Sequence, residues 1–404
     1  MTLADRLADE LRCRAFTPRA RTATPPKIGA EVEVIPVDAS SRRVVPLADS
    51  VPLLRALARR CRWSERPSPY GAPMFSLGNM GQVSFEPGGQ LELSAAPSAS
   101  ASELIARIRG VMDTVRNAAA DSGIDLLSVG IDPANPVERV PRQLHGERYV
   151  TMEEYLATRG PNGARMMRQT AAFQVSLDVG ANPAREWRLL NALAPYVVAM
   201  FANSPTYEGR PTGHKSYRAH VWRTLDPTRT GLPASTAEDP AVEYTEFALR
   251  APALMPRGSD GSFLPFGELL ETGIATQDDW ATHLSTLFPE VRPRGNFEIR
   301  SADALPAQWY AAPVIFLSGM LYDATAREEA VIVAGDADPN RLVDAGQYGL
   351  SDPALARAAS DLAEIALGGA ARLGAAYVTP RDIESARDFF DQYTHRGRSP
   401  ADDS

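Results

Sequence analysis

Val83-Ser-Phe-Glu-Pro-Gly-Gly-Gln-Leu-Glu-Leu-Ser94 alternates polar and apolar side chains on either side of a Pro-Gly-Gly break. Successive side chains of a strand point to opposite faces. Glu86 and Glu92 therefore share one face, while Phe85, Leu91 and Leu93 take the other. Gly88-Gly89 turns or bulges the chain so that both carboxylates aim at one point. Three further stretches read the same way: Ile28-Gly-Ala-Glu-Val-Glu-Val34, Phe173-Gln-Val-Ser-Leu-Asp-Val179 and Asn296-Phe-Glu-Ile-Arg300. In them Glu31 and Glu33 share a face, as do Gln174, Ser176 and Asp178, and likewise Glu298 and Arg300. A strand commonly buries its apolar face and wets the other, which would make these ordinary solvent-facing residues. That reading leaves unexplained why five glutamates and few lysines sit on the strongest strand signals. Carboxylates gathered on one sheet repel each other unless divalent cations neutralise them, and hard oxygen ligands suit Mg2+ or Mn2+. Alternation alone leaves both readings open.

The bulk properties narrow the field. A chain of 404 residues with 44% hydrophobic and 23% charged residues is ordinary globular protein, long enough for one large domain or two to three smaller ones. A net charge of -8 argues against a nucleic-acid backbone as partner, which would favour a basic face. Cys13 and Cys61 are too few for a disulfide framework or a cysteine-based metal site. No apolar run has the length of a membrane span, and the N-terminus lacks a signal peptide's basic and apolar regions. The chain reads as cytoplasmic, with small-molecule substrates, no nucleic acid, no membrane, and a monomeric or homodimeric state.

Helical spacing is expected in the first residues before a Pro- and Arg-containing lead-in, from Ala48 to Trp63, from Ser102 to Gly123 and from Arg185 to Phe201, where Pro195 suggests a kink. Ile124 to Ile131 reads as a buried strand. Residues 203–231, rich in Gly, Pro and Arg, read as a long surface loop. Asp278-Asp279 is read as the cap of a helix through Trp280 and Leu284. Ala311–Tyr322, Ala324–Val333, Pro353–Leu373 and Pro380–Tyr393 read as helices, and the tail from Arg396 as frayed. No domain boundary stands out, so the chain is read as a single catalytic domain, with a core over about 28–325 and a helical segment over about 326–395. Phosphate-cradle, dinucleotide, zinc-helix and serine-hydrolase signatures are all missing.

The stretch around Glu86 and Glu92 resembles the signature of plant-type glutamate–cysteine ligases (γ-glutamylcysteine synthetases), a group shared with proteobacteria and, diverged, with actinobacterial ergothioneine-pathway enzymes. The resemblance recurs in order at Ile28–Glu33, Arg168–Asp178, Phe201–Pro205, Ser216–Trp222, Asp226–Gly231, Leu287–Arg292 and Phe297–Arg300 with Asp303, and more weakly at Arg396–Asp403. It implies an α+β, glutamine-synthetase-like fold: a curved, mostly antiparallel sheet lined with carboxylates and covered outside by helices. It implies ATP held through Mg2+ (or Mn2+) rather than a phosphate loop. The implied reaction joins the γ-carboxylate of L-glutamate to the α-amine of L-cysteine through a γ-glutamyl phosphate. By match to the family, Glu31, Glu33, Glu86, Glu92 and Glu298 are the metal ligands. Gln174 stands where distant enterobacterial-type ligases carry a histidine ligand, which implies that it joins the metal ligands through its amide oxygen. Arg218 is implied to hold the substrate carboxylate, since a guanidinium pairs bidentately with carboxylates. Arg300, with Glu298, is implied to act on the transferring phosphoryl group, and Arg168 and Trp222 to line the substrate pocket. Arg300-Ser-Ala-Asp303 replaces the family's Arg-Gly-Ala-Asp, and the plant cysteine pairs for redox control have no counterpart. Two rival readings are a ligase joining glutamate to a different amine in a secondary-metabolite pathway and a ligase-like binder without catalysis.

Overall fold

In the computed structural model, which describes residues 2–18, 25–233 and 238–403, the four acidic stretches lie in one sheet. Its strands are β1 (Ile28–Asp38), β2 (Ser64–Arg66), β3 (Met74–Ser76), β4 (Gly81–Phe85), β5 (Leu91–Ala95), β6 (Ile124–Leu127), β7 (Ala172–Leu177), β10 (Val291–Pro293) and β11 (Phe297–Asp303). The order is β10-β11-β7-β1-β5-β4-β3-β2, with β6 pairing the far end of β1. A separate hairpin joins β8 (Thr206–Tyr207) to β9 (Arg210–Pro211). Among the described residues, all strand pairings of this sheet are antiparallel, so it can bury one face and leave the other polar.

The apolar face carries Val32, Val34, Val83, Phe85, Leu91, Leu93, Phe173, Val175, Phe297 and Ile299, all in the main core. Helices Ala101–Ala120, Pro183–Met200 and Ala311–Tyr322 pack against it. Ala311–Tyr322 is apolar all round because it is covered on its far side by helices Pro353–Arg372 and Pro380–Gln392. The fold is thus α+β, an antiparallel sheet with helices outside, as the resemblance implied.

Most expected helices form within a residue or two of their predicted ends. Among the described residues, six helices open on an Asn, Asp or Thr cap followed by proline: Asn182-Pro183, Asp226-Pro227, Asp239-Pro240, Asp338-Pro339, Asp352-Pro353 and Thr379-Pro380. The capping oxygen takes an orphan N–H, and the proline loses nothing by lacking one there. Helices Glu147–Ala157, Asn162–Gln169, Pro240–Arg250 and Pro339–Tyr348 were not anticipated.

Four expectations need correction. Residues 203–231 are not a surface loop. They hold β8, β9 and helices Tyr217–Arg223 and Pro227–Thr230, capped by Ser216 and Asp226, and they bury Ser216, Arg218, Asp226 and Arg229. Helix Trp280–Leu284 follows a turn whose first residues are capped by Thr276; of the paired aspartates only Asp279 takes part, accepting from the Thr276 N–H at 2.8 Å. Strand β6 ends at Leu127, and Ile131 makes only an isolated bridge to Thr170. The tail is not frayed: Pro400 and Ala401 are buried, and Asp402 pairs with Lys215 at 2.5 Å. Residues 19–24 of the lead-in lie outside the described residues.

Helices Ala311–Tyr322 and Pro353–Arg372 meet backbone to backbone at Gly319 and Gly369. A Cβ on Gly319 would lie 2.2 Å from the Ala366 carbonyl oxygen, and one on Gly369 2.4 Å from that of Gly319. Gly110, in mid-helix, faces open space. Gly319→Ala should therefore destabilise the protein by about 1–3 kcal/mol, overpacking outweighing the helix propensity gained. Gly110→Ala should stabilise it by roughly 0.5–1 kcal/mol. Urea unfolding of both variants checks this; equal shifts in the same direction would refute the close crossing.

Candidate active site

Cross-strand register gathers the acidic residues. Glu33 lies opposite Glu92, Glu31 opposite both Gln174 and Ser94, and Glu298 opposite both Ser176 and Arg292. Glu86 follows β4 at the hairpin turn. The turn is closed by Glu86 N–H to the Gln90 carbonyl (2.9 Å) and Gly89 N–H to the Glu86 carbonyl (2.8 Å). Glycine is required at both turn positions. Gly89 has φ +92°, and a Cβ on Gly88 would lie 1.9 Å from the Arg168 carbonyl oxygen. Gln90 ties the turn down further, donating from Nε2 to the Thr170 carbonyl at 2.9 Å.

The polar face floors a cleft of about 310 Å³. Glu31, Glu33, Glu86, Glu92, Gln174 and Arg300 line the floor; Arg148, Tyr149, Trp222 and Phe288 belong to the walls. Burial pushes the Glu31 carboxyl up to about 8, helped by the charges of Glu92 and Glu298. Burial likewise raises Glu33, Glu86 and Glu92, with neighbouring glutamates adding to the shift at each. Like charges confined in a dry site cannot all ionise, so in the absence of cations this floor holds protons.

Glu298 differs. Burial would raise it, but Arg292 and Arg300 outweigh burial and bring it down to about 2. Its carboxylate accepts from Arg292 Nε (2.6 Å) and Nη2 (3.0 Å), Arg294 Nη1 (3.2 Å) and Arg300 Nη1 (3.1 Å). Arg300 sits in a β-bulge, where Arg300 and Ser301 together oppose Gln174. It donates to Gln174 Oε1 at 2.5 Å, and Gln174 Nε2 donates to Glu33 Oε1 at 2.9 Å. A guanidinium only donates, so Gln174 must turn its amide oxygen to Arg300, which leaves the amide nitrogen to donate to Glu33. A hydrogen-bonded line thus runs across the floor from Arg292 to Glu33.

Of the residues singled out from sequence, the structure brings Glu31, Glu33, Glu86, Glu92, Gln174, Arg300 and Trp222 to the cleft. Glu298 lies beneath the arginines. Gln174 has its amide oxygen taken by Arg300 and so does not offer it as a ligand here. Arg168 is turned away from the cleft and pairs with Glu153, beside Arg142. Arg218 is buried behind Arg300. It donates from Nη2 to the Arg300 carbonyl at 2.9 Å and lies 3.7 Å from Asp303, rather than reaching into the cleft. Asp178, on the same strand face as Gln174, takes the Lys27 N–H at 2.9 Å. Sequence reasoning missed Arg148, Arg292 and Arg294 as cleft residues. Arg292 was within reach, since it closes a stretch that carries the resemblance and alternates with Glu290 across Val291.

The donor set fits a hard cation: four carboxylates with raised pKa on one cleft floor are what Mg2+ neutralises. Among the described residues, no three His, Cys, Asp or Glu side chains are arranged to hold a metal ion by themselves. That is the ordinary situation for Mg2+, which is bound through one or two carboxylates plus substrate phosphates and water rather than in an all-protein cage. Among the described residues, no helix is long and apolar enough to cross a membrane.

Comparison with known proteins adds the following. A family model described as glutamate-cysteine ligase family 2 (GCS2) matches residues 27–403. The glutamate–cysteine ligase EgtA of Mycobacterium tuberculosis is 35% identical over 341 residues, which cover 80% of this chain and 76% of the relative. The chloroplastic glutamate–cysteine ligase of Brassica juncea is 32% identical over 329 residues, covering 78% of this chain and 63% of the relative. A solved glutamate–cysteine ligase from Francisella tularensis, in complex with AMP, superposes with a TM-score of 0.48 at 12% identity, covering 93% of this chain and 90% of that one.

The raised carboxyls set a pH dependence. Between the ordinary glutamate value of 4.5 and about 8, folded Glu31 binds more proton than unfolded Glu31, so stability falls as pH rises through that window. Glu298 contributes oppositely, but its loss falls at acid pH, outside the window. The metal-free protein in EDTA should therefore show a falling thermal midpoint from about pH 6 to about pH 8, and Glu31→Gln should flatten the slope. A midpoint that rises over this range would contradict the protonated floor.

Proposed function

The chain belongs to the glutamate–cysteine ligase family 2, and we propose that it joins the γ-carboxylate of L-glutamate to the α-amine of L-cysteine using ATP. The observation that carries this reading is the pairing, in one cleft, of a carboxylate floor with an arginine end at Arg292, Arg294 and Arg300. In the proposed reaction a γ-carboxylate oxygen attacks the terminal phosphorus of ATP, and the bond to ADP breaks. The cysteine nitrogen then attacks the acyl carbon, phosphate leaves, and the ammonium proton is lost.

Two anions must meet here, the triphosphate and the substrate carboxylate. Glu31, Glu33, Glu86 and Glu92 would hold Mg2+, which screens phosphate oxygens and stabilises charge on the transferring group. Glu298 would join them only by giving up contacts to its arginines, and its role in the proposal is to hold those arginines in place. Arg300, fixed by Glu298 and Gln174, presents a rigid donor where charge builds on the transferring phosphoryl group. Arg292 and Arg294 line the same end of the cleft and take over the carboxylate-holding part first given to Arg218. Trp222 packs under the Arg300 guanidinium, 5.4 Å from its ring centre, and with Phe288 keeps water from that end.

Glu86→Gln and Glu92→Gln each remove a metal-ligating charge from a buried, strained set. Each variant should lose phosphate release from Mg-ATP with L-glutamate and L-cysteine by more than about 100-fold. Neither should lose thermal stability at neutral pH, because each replaces a buried carboxyl whose ionisation is disfavoured with a neutral amide of similar size. The assay is phosphate release with the product weighed by mass spectrometry. A product of another mass reassigns the acceptor amine; near-normal turnover in either variant removes the metal-ligand assignment.

A further inference from the structure

We infer that the C-terminal segment, residues 394–403, is a positioning element for Arg300, acting from outside the cleft through Lys215 and the buried Asp303 network. The inference rests on the ligase reading of the cleft and adds to it a function for the C-terminal stretch Arg396–Asp403, which carries no catalytic chemistry of its own.

The segment is held on the protein at defined points. Asp402 accepts from Lys215 Nζ at 2.5 Å, the Ala401 N–H donates to the Ala202 carbonyl at 3.0 Å, and Pro400 and Ala401 are buried. Asp402 and Asp403 also close the segment on itself. Asp402 accepts from the Ser399 N–H at 2.9 Å, and Asp403 from Tyr393 Oη at 2.6 Å. Both anchor points adjoin the residues that hold Asp303. Asn203 N–H (2.8 Å) and Ser204 Oγ (2.6 Å) donate to one carboxylate oxygen of Asp303, and Ser216 Oγ (2.9 Å) to the other. Ser204 and Ser216 are joined by a parallel bridge, whose Ser204 N–H donates to the Lys215 carbonyl at 3.2 Å. Asp303, buried with all its partners, lies 3.7 Å from Arg218, and Arg218 holds the Arg300 carbonyl in the bulge. Each step is a direct contact, and the last one sets which way the bulge aims the Arg300 side chain.

The Lys215–Asp402 pair is about a quarter exposed at both ends, so it contributes little to stability. Its weight is geometric. Loss of the pair lets the 202–204 and 215–216 backbones shift, and small misplacements of a catalytic group cost rate heavily. Trp222 reports such a shift directly, because Arg218 and Arg300 both pack on its ring, at 5.9 and 5.4 Å.

The test uses the full chain with Asp402→Asn, Lys215→Met and the double variant, and Arg372→Ala as control. Arg372 pairs with Asp323 at 2.8 Å among the outer helices, away from the cleft. The expected result is a fall of about tenfold or more in kcat/KM for L-glutamate in Asp402→Asn and Lys215→Met. The double variant should lose no more than either single one, since one contact is removed. The Trp222 contribution to fluorescence, obtained by difference from Trp222→Phe, should shift in the same variants, with thermal midpoints near that of the control. Unchanged kinetics and unchanged Trp222 emission in either folded variant would overturn the inference. If the wild-type chain does not turn over L-glutamate, the ligase reading fails by itself, and the Trp222 shift alone decides whether the tail sets the bulge.

Discussion

Repulsion among carboxylates on one face of a sheet is the constraint around which this protein is built. Four glutamates on neighbouring strands stand in a cleft too dry to ionise them all. A fifth, Glu298, escapes the problem because Arg292, Arg294 and Arg300 surround it. The floor is therefore electrically divided, with one end short of positive charge and the other supplied with it. In the proposed reaction a cation and a triphosphate would complete the first, and an anionic amino acid would suit the second. Gln174 stands at the boundary, its two amide atoms facing Arg300 and Glu33 respectively.

Holding such a floor requires a rigid support. The sheet supplies it through antiparallel pairing on one face and a continuous apolar core on the other, from Leu7 near the N-terminus to Tyr393 near the C-terminus. Residues that sequence placed in the chemistry turn out to brace it instead. Arg168 is locked to Glu153, while its backbone supports the glycine turn between Glu86 and Glu92. Arg218 holds the bulge from behind. A long polar side chain held by protein partners away from the cleft acts through geometry rather than by touching substrate.

The strands and most helices were legible because their signals are local. Period-two alternation put Glu31 with Glu33, Glu86 with Glu92 and Glu298 with Arg300 on shared strand faces, and apolar side chains at helical spacing marked most of the helices. An Asp-Pro capping signal stood unread at Asp239-Pro240 and Asp338-Pro339, and two helices were missed for it. Residues 203–231 misled because Gly, Pro and Arg read as loop chemistry. There the arginines are buried against partners far away in sequence, such as Thr286 for Arg229 and Asp303 for Arg218.

The sequence by itself determined which side chains share a strand face and where most of the helices lie, since backbone geometry and neighbours a few residues away decide both. Only the tertiary structure decided which arginines face the cleft, which way the Gln174 amide points, and that the tail docks instead of fraying. Those outcomes depend on partners distant in sequence: Asp303 lies 85 positions from Arg218, and Asp402 lies 187 from Lys215. No local pattern in the chain encodes which of several arginines will find a buried carboxylate first.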